Sequence, residues 1–290
     1  MIYWLHLVGR HAVRFVPRAV AYQLAAVIAS VVYWLWHEKR RHAIANLARV
    51  LGPQHSLGEA RRLARQVFRN YGKYLVDMLR LSGWQLKEVE RHLVVFGMEH
   101  VEAALARGKG LIFVGGHLGN SDLGGALLAW WGYPVHVIAE RLHPPRWNEL
   151  VQETRRLAGM NVIPVDASIQ EVLQVLRRNE VLACLIDLPA YRNGNGVAVR
   201  FFDAWTRVPA GAATLALRTG ASVIAACVVR VGAGYEVHIR PLAPLERTGD
   251  LQLDIQRLTQ QIVTALEGFI RQYPDQWFMF RPMWPARAEG

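Results

Sequence analysis

Residues 110–122, GLIFVGGHLGNSD, decide how the rest of the chain is read. The run from Gly110 to Gly115 is uncharged and rich in Leu, Ile, Phe and Val, the composition of a strand buried on both faces. Gly115, Gly116 and Gly119 loosen the turn that follows, and a helix begins near residue 120. Strand, glycine turn and helix in that order put His117 at the carboxyl end of a strand, where open parallel sheets hold their ligands. His117 and Asp122 are five residues apart, which on one continuous helix sets them about 140° apart. With His117 in the turn and Asp122 in the first helical turn, the carboxylate instead reaches back to the imidazole. Such a dyad fixes the tautomer of a histidine that takes a proton from an alcohol. The spacing alone is weak, because eleven His and 23 acidic residues give about one such pair by chance. The context is what singles it out; a histidine that merely caps the helix is the other reading.

Outward from this stretch, apolar β-branched runs alternate with helical segments. Strands are expected at Leu93–Phe96, Gly110–Gly115, Val135–Ala139, Val162–Val165, Val181–Ile186, Ala221–Val231 and Tyr235–Arg240. Helices are expected near 98–107, 120–131, 146–158, 167–178, 209–219 with Pro209 in its first turn, and 250–272 entered at Asp250. Upstream, Ser56 and Glu59 have capping-box spacing and open a helix over 56–81. This order is that of an α/β fold, a mostly parallel central sheet flanked by helices on both faces. We expect residues 1–55 to form an N-terminal helical membrane-docking region and 56–290 the α/β domain.

Charge supports that division. The chain has 34 Lys and Arg against 23 Asp and Glu, a formal net charge of +11. Twelve of the cations, Arg10 through Lys73, stand in the first 73 residues beside only Glu38 and Glu59, and the remainder is nearly neutral. A basic quarter implies an anionic partner. Residues 19–36, AVAYQLAAVIASVVYWLW, are uncharged over 18 positions, so an anionic membrane surface fits better than nucleic acid. No small-x-small cleavage site precedes the aromatic end, so a signal peptide fits poorly. The run is short for a span, which needs about 20 apolar residues. Arg10, Arg14 and Arg18 precede it and Lys39, Arg40 and Arg41 follow it, which gives no direction by the positive-inside rule and suits a helix lying in the interface. A single span and a buried core helix are the other two readings. On the later helix, Arg61, Arg62, Arg65, Arg69 and Lys73 form either a solvated face or one that docks on anionic lipid or an acidic carrier protein.

Several chemistries are excluded. Cys184 and Cys227 sit apart in apolar runs, which supports neither a disulfide nor a zinc site. His37 and His42 have one residue too many between them for a zincin helix, so no metal is expected. No G-x-S-x-G elbow and no P-loop occur.

The stretch GGHLGNSDLGG resembles the His-x4-Asp/Glu block of glycerolipid acyltransferases, and specifically of the bacterial lipid A late-acyltransferase family, which takes in the phosphatidylinositol mannoside acyltransferases. Other segments are similar in order and spacing: Val137–Arg141 with Pro144, Arg155 and Gly159; Val197–Phe202; Pro209–Ala221; and Pro274-Asp-Gln-Trp277 with Trp284. The resemblance implies transfer of a fatty acyl group from a thioester on acyl carrier protein or coenzyme A to a hydroxyl of a membrane glycolipid, at the cytoplasmic face of the inner membrane. No resident cofactor is implied. His117 is then the general base and Asp122 its orienting carboxylate. Arg141 or backbone N–H groups near Gly116 are candidates for the oxyanion. Arg141 alternatively binds acceptor phosphate or makes a surface ion pair. Asp187, at another strand's carboxyl end, matches an acidic family position loosely and is a substrate-site or structural candidate. A lysophospholipid or glycerol phosphate acceptor keeps the same chemistry; a non-catalytic basic lipid- or nucleic-acid-binding protein is the alternative from another class.

Overall fold

The computed structural model describes residues 15–190 and 196–284, so Arg10 and Arg14 lie outside the described residues. Among the described residues three helices come first, α1 (Arg18–Leu35), α2 (His37–Leu51) and α3 (Leu57–Leu81), with a short α4 (Leu86–Glu90) after them. The alternating part then runs β1 (Leu93–Phe96), α5 (Glu99–Ala106), β2 (Leu111–Gly115), α6 (Ser121–Trp130), β3 (Val135–Ala139), α7 (Pro145–Leu157), β4 (Asn161–Pro164), α8 (Ile169–Arg177) and β5 (Val181–Leu185). A hairpin of β6 (Gly196–Phe201) and β7 (Ala204–Pro209) follows, then α9 (Gly211–Thr219), β8 (Ser222–Val231), β9 (Gly234–Pro241) and α10 (Leu251–Gln272).

Seven strands form one sheet in the order β1-β9-β8-β2-β5-β3-β4, and every neighbouring pair is parallel except β8–β9. The expected fold class is therefore the observed one. Central β2 divides its apolar side chains between two cores. Ile112 and Val114 join the layer that holds α8, α9 and α10, while Leu111 and Phe113 join the layer under α5 and α6. Helix ends follow their sequence signals. Ser56 and Glu59 make the full capping box on α3, and Asp250 accepts from Gln252 N–H and Leu253 N–H at the start of α10.

The β6–β7 hairpin was not expected from the sequence. Its two-residue connection, Phe202-Asp203, has both residues at positive φ (48° and 60°), a geometry that Asn-Gly or Gly ordinarily announces. Pro209 is correspondingly the last residue of β7 and not the first turn of a helix, which starts at Gly211. Of the expected docking region, the described residues 15–55 pack against the α/β part. Tyr33, Ala43, Leu47 and Val50 lie in the same buried cluster as Phe201, Trp277 and Met283. Helix α1 presses Ala21, Ala26, Ala29 and Tyr33 inward, and α3 meets it so closely that a Cβ on Gly72 would lie 2.9 Å from the Ala25 carbonyl oxygen.

The amino end of α1 is fixed by charge. Asp77 of α3 is fully buried and accepts from Tyr22 of α1, Tyr235 of β9 and Arg230 of β8, and Arg18 donates to Tyr235 Oη at 3.2 Å. Four elements meet on one carboxylate. Removing the cation strands a buried charge, which costs about 3–5 kcal/mol. Chemical denaturation of Arg230→Met is expected to show a loss of that order; a loss below about 1 kcal/mol would mean that the pair does not hold α1 in place.

Candidate active site

The carboxyl ends of β2 and β5 are adjacent and in parallel register, with Gly115 opposite Leu185. The ladder continues one step through Ile186 N–H to Gly115 O at 3.0 Å. Two residues beyond each strand end stand His117 and Asp187, and they meet. His117 Nδ1 lies 2.7 Å from Asp187 Oδ1, and the His117 backbone N–H donates to Asp187 Oδ2 at 2.8 Å. A third donor, Trp277 Nε1–H, reaches Asp187 Oδ2 at 2.8 Å from the C-terminal segment. Gly116 permits this approach, because a Cβ there would lie 2.9 Å from Asp187 Oδ2.

The C-terminal segment closes over the turn. Gln276 O accepts from Gly119 N–H at 2.9 Å, and Phe278 N–H donates to His117 O at 2.7 Å. Gly119 has φ +65°, and a Cβ there would overlap the Val228 carbonyl oxygen at 1.9 Å, so only glycine passes at that point. Asn120 then caps α6, accepting from Leu123 N–H at 3.0 Å.

Burial disfavours charge on Asp187, but His117 and the three N–H donors outweigh it and hold its pKa below the usual carboxylate range. With that carboxylate ionised, Nδ1 of His117 is the donor and Nε2 keeps its lone pair. The imidazole is 35% exposed, whereas the Asp187 side chain is fully covered. Burial also works against the imidazolium, yet the charge and hydrogen bond of Asp187 raise the His117 pKa above the ordinary histidine value. Arg281 and Glu140, an ion pair at 2.9 Å, also act on the ring, and the ring in turn helps lower the pKa of Asp122.

Asp122 is therefore not the partner the sequence suggests. It sits in the first turn of α6 as expected, but its oxygens are engaged by Arg155 Nε at 2.6 Å and by Tyr74 Oη. Burial opposes its charge and Arg155 more than compensates, so its pKa is lowered. Tyr74 is pushed well above its usual value by burial and by Asp122, and stays a phenol donor. Its hydrogen bonds go to α7 and α3, while Nδ1 of His117 is bonded to Asp187.

Arg141, just past β3, is 70% exposed and pairs with Asp166 at 3.1 Å, while the N–H after Gly116 belongs to Asp187. Sequence reasoning gave Trp277 no role in the site; its signal was only its place in a Pro-x-Gln-Trp block. An apolar cavity of about 120 Å³ runs from Gly115, Gly116 and Asp122 between α6 and the sheet, toward Leu128, Trp131 and Met160. It exists because α6 carries Gly124 and Gly125 on its inner face. A Cβ on Gly125 would lie 2.4 Å from the Met160 sulfur, and one on Gly124 3.0 Å from Val228 Cγ2.

The chain belongs to a known family. The family described as bacterial lipid A biosynthesis acyltransferase matches residues 1–285. A phosphatidylinositol mannoside acyltransferase of Mycobacterium tuberculosis is 29% identical over 98% of this chain and 88% of its own length. One from Mycolicibacterium smegmatis is 30% identical over 83% of this chain and 78% of its own length. A lipid A biosynthesis palmitoleoyltransferase of Escherichia coli is 26% identical over 87% and 81%. With His117 and Asp187 paired at the sheet's carboxyl edge and the family match spanning residues 1–285, the protein is an acyltransferase of the bacterial lipid A biosynthesis acyltransferase family.

Proposed function

We propose that the protein transfers a fatty acyl group from a thioester of acyl carrier protein or coenzyme A to a hydroxyl of a glycolipid, with His117 as general base and Asp187 as its orienting carboxylate. The observation that carries this reading is the His117–Asp187 pair, whose chain neighbours Gly116 and Leu118 line an apolar cavity. The acceptor hydroxyl donates its proton to Nε2 while its oxygen bonds to the thioester carbonyl carbon. The tetrahedral oxyanion collapses, the C–S bond breaks, and the imidazolium returns the proton to the leaving thiolate. No acyl-enzyme is needed, because the thioester is already activated. The relatives' names supply the acceptor class, and the exposed apolar face of α1 supports work at an anionic membrane surface, on the cytoplasmic side where acyl thioesters are made.

The acyl chain of the donor occupies the cavity under α6. Its far end is set by Met160, which fills the space left by Gly125. Asp122 and Arg155 stiffen the wall between α6 and α7 and hold the helix at this distance from the sheet.

Three outcomes test the reading. His117→Ala is expected to lower kcat by about 10²–10⁴ in an assay of labelled acyl thioester and glycolipid, with an unchanged melting curve. Near wild-type turnover would remove His117 from the chemistry. Because Asp187 raises the His117 pKa, and the base must be neutral, the rate climbs as pH rises through that raised value. Asp187→Asn leaves burial unopposed. The acid limb of the kcat/KM profile therefore moves to lower pH while the plateau falls; an unmoved limb would contradict the pairing. For the cavity, Met160→Ala is expected to shift preference about tenfold toward longer acyl donors and Gly125→Ala toward shorter ones, read by mass spectrometry of products from mixed donors.

A further inference from the structure

A second feature lies away from the cleft, where α1 turns into α2 at Trp36. An open groove of about 910 Å³ is formed there by α1, α2 and α3, with Trp34, His37, Arg40, Arg41, Arg61 and Arg65 on its walls. Glu38 is the one carboxylate lining it. Arg40 and Arg65 approach the Trp34 ring at 5.4 and 5.3 Å from its centroid, and the Tyr33 ring at 5.5 and 5.7 Å. Two guanidinium groups thus converge on one aromatic pair, and neither has a carboxylate partner among the described residues. Ring stacking orients them, and their donor edges are left for a ligand.

Beside the groove runs the outward face of α1. Leu24, Val27, Ile28, Val31, Trp34 and Leu35 are all exposed, and Leu35 reaches 73%. The same helix is held along its length by protein: Arg18 joins the Asp77 network at one end, and Tyr33 packs edge-on against Phe68 near the other. A helix pinned at both ends to α3 and the sheet presents one side only, which suits lying in an interface and does not suit crossing it.

From these observations we infer that the groove binds the phosphate of an anionic phospholipid headgroup, with the lipid's acyl chains against the exposed face of α1. An uncharged aliphatic row directly beside a cluster of arginines matches the layering of acyl chain below phosphate. An acidic carrier protein would meet that row with carboxylates and leave it unsatisfied. Arg provides paired N–H donors for phosphate oxygens, and each basic group near an anionic surface adds about 1 kcal/mol. The inference rests on the membrane-surface part of the function proposed above and not on its chemistry.

The experiment is co-sedimentation of the full chain with vesicles of phosphatidylcholine alone and of phosphatidylcholine containing phosphatidylglycerol. Wild type is expected to prefer the anionic vesicles, and Arg40→Gln/Arg65→Gln to weaken that binding roughly 30-fold. A control of equal net charge, Arg91→Gln/Arg177→Gln, is expected to change it less than about threefold. Circular dichroism melting confirms that both variants fold. Equal losses in the two double variants would show diffuse charge and overturn the site, as would unaltered binding by Arg40→Gln/Arg65→Gln. Loss of acyl carrier protein binding with vesicle binding intact would assign the groove to a protein instead. Failure of wild type to bind either vesicle would overturn the membrane-surface reading itself, whereas equal binding to both would overturn the headgroup site alone.

Discussion

The hydrogen bond between His117 Nδ1 and Asp187 Oδ1 joins the carboxyl ends of β2 and β5, and much of the surrounding architecture exists to hold it. A carboxylate taken out of water is tolerated only when its lone pairs are met. Asp187 meets the two N–H groups of His117 and the indole of Trp277. Each donor comes from a different constraint. The parallel register delivers the imidazole, the missing Cβ of Gly116 lets the backbone amide in, and the C-terminal segment folds back to bring the indole. The low dielectric that makes Asp187 costly to bury also strengthens its effect on the ring. One arrangement therefore fixes the tautomer, raises the basicity and leaves Nε2 with its lone pair.

Asp122 works on another axis. Its charge is balanced by Arg155, so it links α6 to α7, and through Tyr74 it reaches α3. Those contacts set how far α6 stands from the sheet, and Gly124 and Gly125 turn that separation into an apolar cavity. The two acidic residues thus hold different parts of the structure, Asp187 the His117 turn and Asp122 the packing of α6. The buried Asp77 network plays the matching part less than one turn farther along α3, where it ties the apolar helix to the central sheet.

Most of the fold was legible because its signals are local. The strands are uncharged apolar runs, the caps Ser56 and Asp250 precede their helices, and glycines mark the His117 turn. The hairpin was not legible, since Phe202 and Asp203 adopt left-handed backbone without the residues that announce it. The partner of His117 was misread for a different reason. Nearness in sequence favoured Asp122, but contact across a parallel sheet depends on strand order, which one sequence does not display. A usable signal was present all the same: Gly110–Gly115 and Val181–Ile186 are each followed almost at once by a reactive side chain, and pairing the two runs would have set Asp187 beside His117. The packing of α1 into the main core was likewise hidden, because an uncharged run does not reveal which of its faces protein covers.

The central claim is that Asp187, and not Asp122, governs the imidazole of His117. Nitrogen-15 NMR titration of the histidine ring in the folded protein, in wild type, Asp187→Asn and Asp122→Asn, tests it most directly. The account requires the Nδ1–H tautomer and a raised pKa in wild type, with both lost in Asp187→Asn and a smaller change in Asp122→Asn. A larger change in Asp122→Asn than in Asp187→Asn would contradict it.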